Sequence, residues 1–452
     1  MGMKIALIGA AGVRTPLLVH GLAEAVAGMN LDELGFWDVD PERLSIIERV
    51  SNAMAKRCGL RTRLTAATSV EAAVEGASHV ITSIRVGGIN ARVKDETIAL
   101  AHGLVGQETV GAGGFACAMR NLGAMLEYAH LVERMSPQAT IINFTNPVGI
   151  ISQGVLNHSR ARIIGVCDTP LETFEAIARA LGRNPFNLKF DYLGLNHLGW
   201  VRSIKDSNGK DLLPKVLSSR ELIEKCYRHQ LFPVEFIQQL GLLPTEYLYF
   251  YYFTKVAISN TQNNGNSRGQ AVAAMNEKLF KKLAAAGESE LIAVYEGYLR
   301  ERNASYFSIE ATAGKKQEDR ELYSEFSGYE RIALLVLQAL HSQQPRLIPL
   351  TTRNENALED LDSNDAVELP CEVSRDGVKS LAVGRAPDQV RELLLQVKEY
   401  ERLTVKACVE HSREAAVAAL VKNPLVAQQD AAGGVLADYI QAFGAQMRLN
   451  GA

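Results

Sequence analysis

Several short stretches of the chain place reactive side chains beside a proline or glycine turn. In RIIGVCDTP an aliphatic run ends on a thiol and a carboxylate, Cys167 and Asp168, just before Pro170. An ionised thiol at such a position is a metal ligand, and a carboxylate next to it either moves a proton or caps the helix that follows. In YLGLNH a second run ends on His197, and a cysteine and a histidine on neighbouring loops can hold a divalent metal with positions left open for water or substrate. Asn143 and Asn146 close TIINFTNP, and Arg85 follows HVITSI. GLLPTEYLYFYYFTK is dense in aromatics. Most of these belong in a core, but one tyrosine turned toward a cleft would offer a phenol able to serve as a base near a metal. HGLVGQETVGAGGF crowds five glycines around Gln107, Glu108 and Thr109, a composition that suits either close backbone approach to a ligand or a mobile lid.

These groups gain weight from the elements that must present them. KIALIGA, ELGFWDVD, RLTAATS, HVITSI, ATIINF and RIIGV read as short, largely apolar strands separated by helical stretches, with Ser69 placed to cap one helix and another spanning residues 16–28. Strands of this kind alternating with helices predict a doubly wound, Rossmann-like parallel sheet covered on both faces. Such a sheet binds ligands outside the carboxyl ends of its strands, where Arg85, Asn143, Asn146, Cys167 and Asp168 all fall. The first strand runs into IGAAGVRTP, the position of a dinucleotide phosphate turn. Gly9 and Gly12 are present, but Ala11 and Arg14 stand where the G-x-G-x-x-G pattern has its second and third glycines, with Val13 between Gly12 and Arg14. Arg14 is able to pair with a phosphate, and Asp38, at the end of the second strand, is placed to accept hydrogen bonds from ribose hydroxyls, which favours NAD over NADP.

Beyond about residue 185 the pattern changes to strands joined at Asn208-Gly209, a mostly helical stretch over 218–345, strands again in AVELPCEVSRDGVKSLAVG, and amphipathic helix over the last 60 residues. The expected organisation is a nucleotide-binding domain over 1–180 and a mixed α/β domain with C-terminal helices, for substrate, metal and oligomerisation, over 181–452. Of the 452 residues 47% are hydrophobic and 22% charged, with a net charge of -3, and the basic residues are scattered among acids; this excludes a nucleic-acid groove or membrane-binding patch. No apolar run reaches the roughly 20 residues that span a bilayer. The six cysteines form no C-x-x-C pair, and the start of the chain passes directly into a strand, so a reducing cytoplasm is the expected compartment.

Taken together, QETVGAGG, NFTNPVG, GVCDTP, GLNHLGW and PTEYLYFYY resemble, in order and spacing, the NAD- and manganese-dependent glycosidases of glycoside hydrolase family four, from Met3 to about Phe443. That family is an exception to two-carboxylate glycosidase chemistry. The resemblance implies Cys167 and His197 as metal ligands, Tyr247 as catalytic base and Asp168 as a proton donor, with Asp168 as a mere cap still open. It further implies Arg92, Glu108, Asn146 and Arg268 around the substrate, and a homodimer or homotetramer. The implied chemistry oxidises the sugar at C3 with NAD+, removes the acidified C2 proton, eliminates the C1 substituent, adds water and returns the hydride, while the metal polarises the C2 and C3 oxygens. The substrate is expected to be a small sugar or sugar-phosphate glycoside, most nearly a 6-phospho-β-glucoside. The alternatives are a 6-phospho-α-glucoside or an unphosphorylated sugar, since GAAGVRTP lacks the serine of the family's GGGS-x-x-TP. Two rivals of other kinds are a lactate- or malate-type dehydrogenase, which shares the nucleotide fold, and a nucleotide-sensing regulator with a dead site.

Overall fold

Two sheets organise the chain, which a computed structural model describes over residues 2–25, 29–227, 229–310, 322–323, 328–426 and 429–450. Its strands are β1 (Met3–Ile8), β2 (Leu31–Trp37), β3 (Arg63–Ala66), β4 (His79–Thr82), β5 (Thr140–Asn143), β6 (Arg162–Gly165), β7 (Lys189–Leu195), β8 (Leu198–Lys205), β9 (Leu243–Pro244), β10 (Arg346–Arg353), β11 (Ala366–Ser374) and β12 (Gly377–Ser380). The large sheet has the order β12-β11-β10-β6-β5-β4-β1-β2-β3 and the small one β7-β8-β9.

From β1 to β6 every pairing is parallel. The chain winds outward from β1 through β2 and β3 on one side and through β4, β5 and β6 on the other, so the crevice that accepts ligands opens between β1 and β4. Ile5, Leu7, Ile8, Val80, Ile81, Ile141, Ile142, Ile163 and Ile164 are all buried, which is why these strands read as unbroken apolar runs rather than alternating ones. The helix Pro41–Cys58 begins where the Asp40 carboxylate accepts from the Arg43 N–H at 3.0 Å and stops at Gly59 in the left-handed region. Ser69 caps Val70–Val74 as the sequence predicts, accepting from the Ala72 N–H at 3.2 Å. The helix expected over 16–28 is described as Thr15–Ala25, its last three positions lying outside the described residues.

The strands expected in AVELPCEVSRDGVKSLAVG are β11 and β12, yet they do not build a sheet of their own. With β10 they extend the nucleotide sheet in antiparallel fashion, Thr351 standing in register with Gly165 on one side and Glu368 on the other. The large sheet therefore draws strands from both sides of the division expected at residue 180. The long helix Asp388–Val409 likewise packs on Gly111–Met135 and Val148–His158. Its buried Lys398 donates to the Ala366 carbonyl at 2.7 Å and to the Gln153 side chain at 3.2 Å, and pairs with Glu401.

Two local expectations change. The Asn208-Gly209 turn exists, with the Asp206 carboxylate accepting from the Asn208 N–H, but it leads only to a single bridge between Lys205 and Asp211. The hairpin lies earlier, where Asn196 and His197 form the two-residue turn between β7 and β8. The glycine-rich stretch after His102 is no open lid, for Gly111, Ala112, Gly113 and Gly114 form the buried first turn of Gly111–Met135. A Cβ at Gly113 would overlap the Gln107 carbonyl and one at Gly114 the Thr109 backbone, so these glycines let the helix start fold back on the preceding loop. Among the described residues no helix is long and apolar enough to cross a membrane.

Candidate active site

The turn after β1 is shaped by one glycine and one acid. Gly9 has φ 91°, and a Cβ there would overlap the Ser83 carbonyl, so β1 can lie against the loop after β4 only with glycine at this point. Asp38 accepts from the Ala11 N–H at 2.9 Å and, through its other oxygen, from the Asp40 N–H at 3.0 Å. Burial raises its carboxyl from the ordinary aspartate value, against the pull of those two N–H groups. Each carboxylate oxygen keeps a lone pair for a further donor, which fits the ribose hydroxyls of a dinucleotide. Gly12 donates back to the Gly9 carbonyl at 3.2 Å, and the Val13 carbonyl accepts from the Tyr295 hydroxyl at 2.8 Å.

Arg14 does not stand alone over the turn, because its guanidinium meets the Asp168 carboxylate at 3.7 Å. Asp168 occupies the cap position of Thr169–Ala180 but makes no capping hydrogen bond, so the carboxylate is directed to Arg14 rather than to the helix start.

Glu108 is the centre of a cluster of guanidiniums. Arg85 from the loop after β4 and Arg92 from the helix Gly88–Ala101 both pair with it, Arg92 at 2.7 Å. Arg92 also reaches Glu96 at 2.8 Å. Burial pushes the Glu108 carboxyl up, but Arg85, Arg92 and Arg302 outweigh it and hold the group at about 2. Glu96 accepts in turn from the Gly269 N–H at 2.5 Å. Next to Gly269, Arg268 donates to the Ser305 hydroxyl at 2.6 Å and the Arg302 carbonyl at 3.3 Å. Burial, helped by the charges of Arg92 and Arg302, lowers Arg268 to about 10. Burial first, and the neighbouring cations second, weaken the hold of Arg268 on its proton, and an anionic ligand would oppose both.

At the strand mouths stand the thiol, the imidazole and the phenol. Cys167 is buried beyond β6, its Sγ 3.3 Å from the Thr169 hydroxyl, and burial followed by the charges of Glu368 and Asp168 pushes the thiol well up. His197 sits in the left-handed region, φ 63°, at the tip of the β7–β8 hairpin. Its Nδ1 meets the Thr109 hydroxyl at 2.9 Å, which turns that nitrogen to the protein and leaves Nε2 as the edge a metal would use, and burial lowers the ring to about 4, so it is neutral as a metal ligand must be. The Tyr247 ring stacks on that imidazole with centroids 3.7 Å apart and planes 4° from parallel. Burial raises the Tyr247 phenol, the charges of Glu108, Cys167 and Asp168 add to this, and the Tyr306 hydroxyl 3.4 Å away opposes it.

Asn146, in the cis Asn146–Pro147 pair, leaves its side-chain Oδ1 buried without a hydrogen-bond partner, while its carbonyl accepts from Asn121 Nδ2 at 2.8 Å. A buried orphan acceptor is costly unless a ligand supplies a donor or a cation, so Asn146 fits the substrate position expected of it. Asn143 is used within the fold, accepting from the Thr82 hydroxyl at 2.9 Å and the Thr145 N–H at 2.9 Å. Among the described residues no three His, Cys, Asp or Glu side chains form a metal cage. Cys167 and His197 therefore suit a metal completed by substrate oxygens and water rather than a closed structural site.

The structure thus joins His197, Tyr247, Cys167, Asp168 and Glu108 in one electrostatically coupled group, reached by Arg85, Arg92 and Arg268, and keeps Gly9, Ala11, Gly12, Val13 and Asp38 at the nucleotide turn. Arg302, Tyr306, Glu96 and Thr109 join the site without a role assigned to them from the sequence. Only Thr109 lies in a stretch marked by composition; Arg302 and Tyr306 sit in YLRERNASYF, where nothing local signals a site.

The fold is that of an α/β enzyme, with a doubly wound sheet, a cluster of arginines around Glu108 and a cysteine, a histidine and a tyrosine near the strand mouths. Residues 4–183 match the signature of the Family 4 glycosyl hydrolases and residues 192–426 that of the Family 4 glycosyl hydrolase C-terminal domain. The chain belongs to this glycosidase family. It is 29% identical to a 6-phospho-β-glucosidase of Thermotoga maritima over 97% of this chain and 98% of that one. It is also 29% identical to a phospho-α-glucosidase of Clostridium acetobutylicum, over 97% of each chain. The solved structure of the Thermotoga maritima 6-phospho-β-glucosidase with manganese, NAD+ and glucose-6-phosphate superposes with a TM-score of 0.82 at 29% identity, covering 97% of this chain and 98% of that one. Family membership sets aside both the dehydrogenase and the regulator readings.

Proposed function

We propose that the chain hydrolyses 6-phospho-β-glucosides with NAD+ and Mn2+, the ligands present in its Thermotoga maritima relative. When bound, these two groups supply transient removal of hydride from sugar C3 and polarisation of the neighbouring hydroxyl oxygens. The remainder of the chemistry falls to the chain. Gly9, Ala11, Gly12, Val13 and Arg14 frame the dinucleotide phosphates, Asp38 takes the ribose and Arg85 closes the far wall. Cys167 and His197 hold the metal, and Asn146 Oδ1 accepts from a sugar hydroxyl. Tyr247 removes the C2 proton, its ring fixed by the His197 stack and its oxygen by Tyr306. Asp168 protonates the leaving oxygen from its acid form, which requires Arg14 to leave it for the dinucleotide phosphates. Arg92 and Arg268, with Arg302, receive the anionic end of the sugar, and Glu108 keeps Arg85 and Arg92 in place.

The observation that carries this reading is the His197–Tyr247 stack beside a cluster of guanidiniums in which Arg85 and Arg92 pair with Glu108 and Arg268 is held by Ser305 and the Arg302 carbonyl. Glu96, Glu108 and Glu310 face the four guanidiniums of Arg85, Arg92, Arg268 and Arg302, and the one positive charge left over suits a sugar phosphate better than a neutral glucoside. A panel of nitrophenyl glycosides, phosphorylated and not, in both anomers, with NAD+ and Mn2+ under reducing conditions, tests it. The highest turnover is expected on the 6-phospho-β-glucoside, and turnover confined to unphosphorylated glycosides would overturn the reading. The second reading, a 6-phospho-α-glucosidase, is favoured by the equal identity of the phospho-α-glucosidase relative and is decided by the same panel. A homodimer or homotetramer is proposed with it, to be measured by light scattering.

A further inference from the structure

Behind the His197 turn lies a buried carboxylate with no part in the proposed chemistry. Glu368, on β11, is 2% exposed. One of its oxygens accepts from the Tyr192 hydroxyl at 2.6 Å and the other from Asn196 Nδ2 at 3.1 Å. Tyr192 lies on β7 and Asn196 is the residue before His197, so a single side chain holds both the strand and the tip of the hairpin. The neighbourhood is shaped around this contact. A Cβ at Gly199 would overlap the Tyr192 hydroxyl, and one at Gly149 would come within 2.6 Å of Glu401 Oε1 and 3.5 Å of the Asn196 Cβ. On the other side, Glu368 is in register with Thr351, and Thr351 with Gly165, two residues before Cys167. Gly165 admits this row, since a Cβ there would lie 2.8 Å from the Thr351 Cβ.

We infer that Glu368 is a positioning residue that locks the left-handed His197 turn through Asn196 and Tyr192, setting the imidazole against the Tyr247 ring and toward Cys167. The consequence for metal affinity rests on the metal reading of Cys167 and His197, but the anchoring itself is independent of any ion. His197 needs such an anchor because a non-glycine residue at φ 63° costs free energy that the surrounding contacts must offset. It also explains why the nucleotide sheet is extended by β10 and β11: the extension carries the carboxylate to the back of the β7–β8 hairpin, against which β11 packs. Partners one shell behind a metal ligand set its orientation, and their removal typically costs about 10–100-fold in metal affinity.

The test compares the full-length protein with Glu368→Ala, Glu368→Gln and Asn196→Ala. Three readouts are used: amide hydrogen exchange over residues 193–200 without metal, Mn2+ titration followed by the loss of the free-ion electron paramagnetic resonance signal, and NAD+ affinity as a control on the distant turn. Glu368→Ala and Asn196→Ala should speed exchange at the turn and weaken Mn2+ binding at least about 10-fold, with NAD+ affinity within about twofold of the parent. Glu368→Gln should restore most of the loss, because its carbonyl accepts from Asn196 while its amide donates to the Tyr192 oxygen. Should Glu368→Ala fail to fold, Asn196→Ala, which removes a single half-buried amide, carries the same expectation. Parent-like exchange and Mn2+ affinity in the alanine variants would overturn the inference. Faster exchange in the variants of a parent that binds no Mn2+ would uphold the anchor and refute the metal reading instead.

Discussion

Replacing Glu108 by glutamine isolates the electrostatics of the arginine cluster. The carboxyl stands at about 2 against an ordinary value of 4.5, with a side-chain exposure of only 13%. At about 1.36 kcal/mol per unit, its ionisation contributes about 3 kcal/mol to stability at pH 7. Because the folded-state value is depressed, this contribution is fully present above pH 4.5 and is lost as the pH falls toward 2, dropping to about half near pH 3. Glutamine keeps the shape but offers one acceptor, so an amide N–H must face a guanidinium. Arg92 retains Glu96 at 2.8 Å, whereas Arg85 is left with the Cys117 thiol at 3.9 Å, making Arg85 the stranded charge. Breaking a buried pair in this way costs about 3–5 kcal/mol, in line with the linkage figure. Urea unfolding of the parent and Glu108→Gln at pH 7, 4 and 3 should show a gap of about 3 kcal/mol that narrows toward pH 3. The double variant Glu108→Gln/Arg85→Met should be more stable than the two single losses added together. A gap below about 0.5 kcal/mol at pH 7, or one that does not change with pH, would refute the reasoning.

Further outcomes follow from the same site. Cys167→Ser should weaken Mn2+ activation and lower turnover, and rates unchanged after chelation would remove the thiol from the metal site. Substrate carrying deuterium at C2 should lose it to solvent in the product as Tyr247 takes the proton, and full retention would exclude proton removal at that carbon. Asp38→Ala should lower NAD+ affinity by about 10-fold or more, measured by cofactor fluorescence, because it removes the acceptor that holds both the Ala11 and the Asp40 N–H groups. Gly199→Ala should destabilise the fold by about 1–3 kcal/mol and disturb the His197 turn, since the added methyl displaces the Tyr192 hydroxyl from Glu368.

Local chemistry explains what the sequence revealed. Buried parallel strands leave apolar runs, a helix cap leaves Ser69, and polar groups at strand mouths leave GVCDTP and TNP, so β1 to β6 and the motifs at their ends are legible without coordinates. Long-range pairing leaves no such trace. The pairing of Thr351 with Gly165 joins residues far apart in the chain and prints no pattern in either stretch, so the sequence alone does not show that the strands after residue 345 continue the first sheet. Glycine density between His102 and Phe115 suits close backbone approach to a ligand or a mobile lid because freedom and close packing ask for the same residue; the neighbouring Gln107 carbonyl shows the close packing at Gly113. Asp168 reads as a possible cap until the structure turns its carboxylate to Arg14.

The sheet shared by both halves of the chain bears on how this protein is made. During synthesis β6 emerges near residue 165, but its neighbour β10 begins only at Arg346, about 180 residues later, or some ten to forty seconds at about 5–20 residues per second. Through that interval Ile163 and Ile164 sit on a nascent sheet whose edge is uncapped, the kind of surface that pairs with other chains. A ribosome stalled before Arg346 therefore releases a fragment with a complete nucleotide turn and an open edge, and its fate depends on chaperone capture rather than on the stability of the finished enzyme.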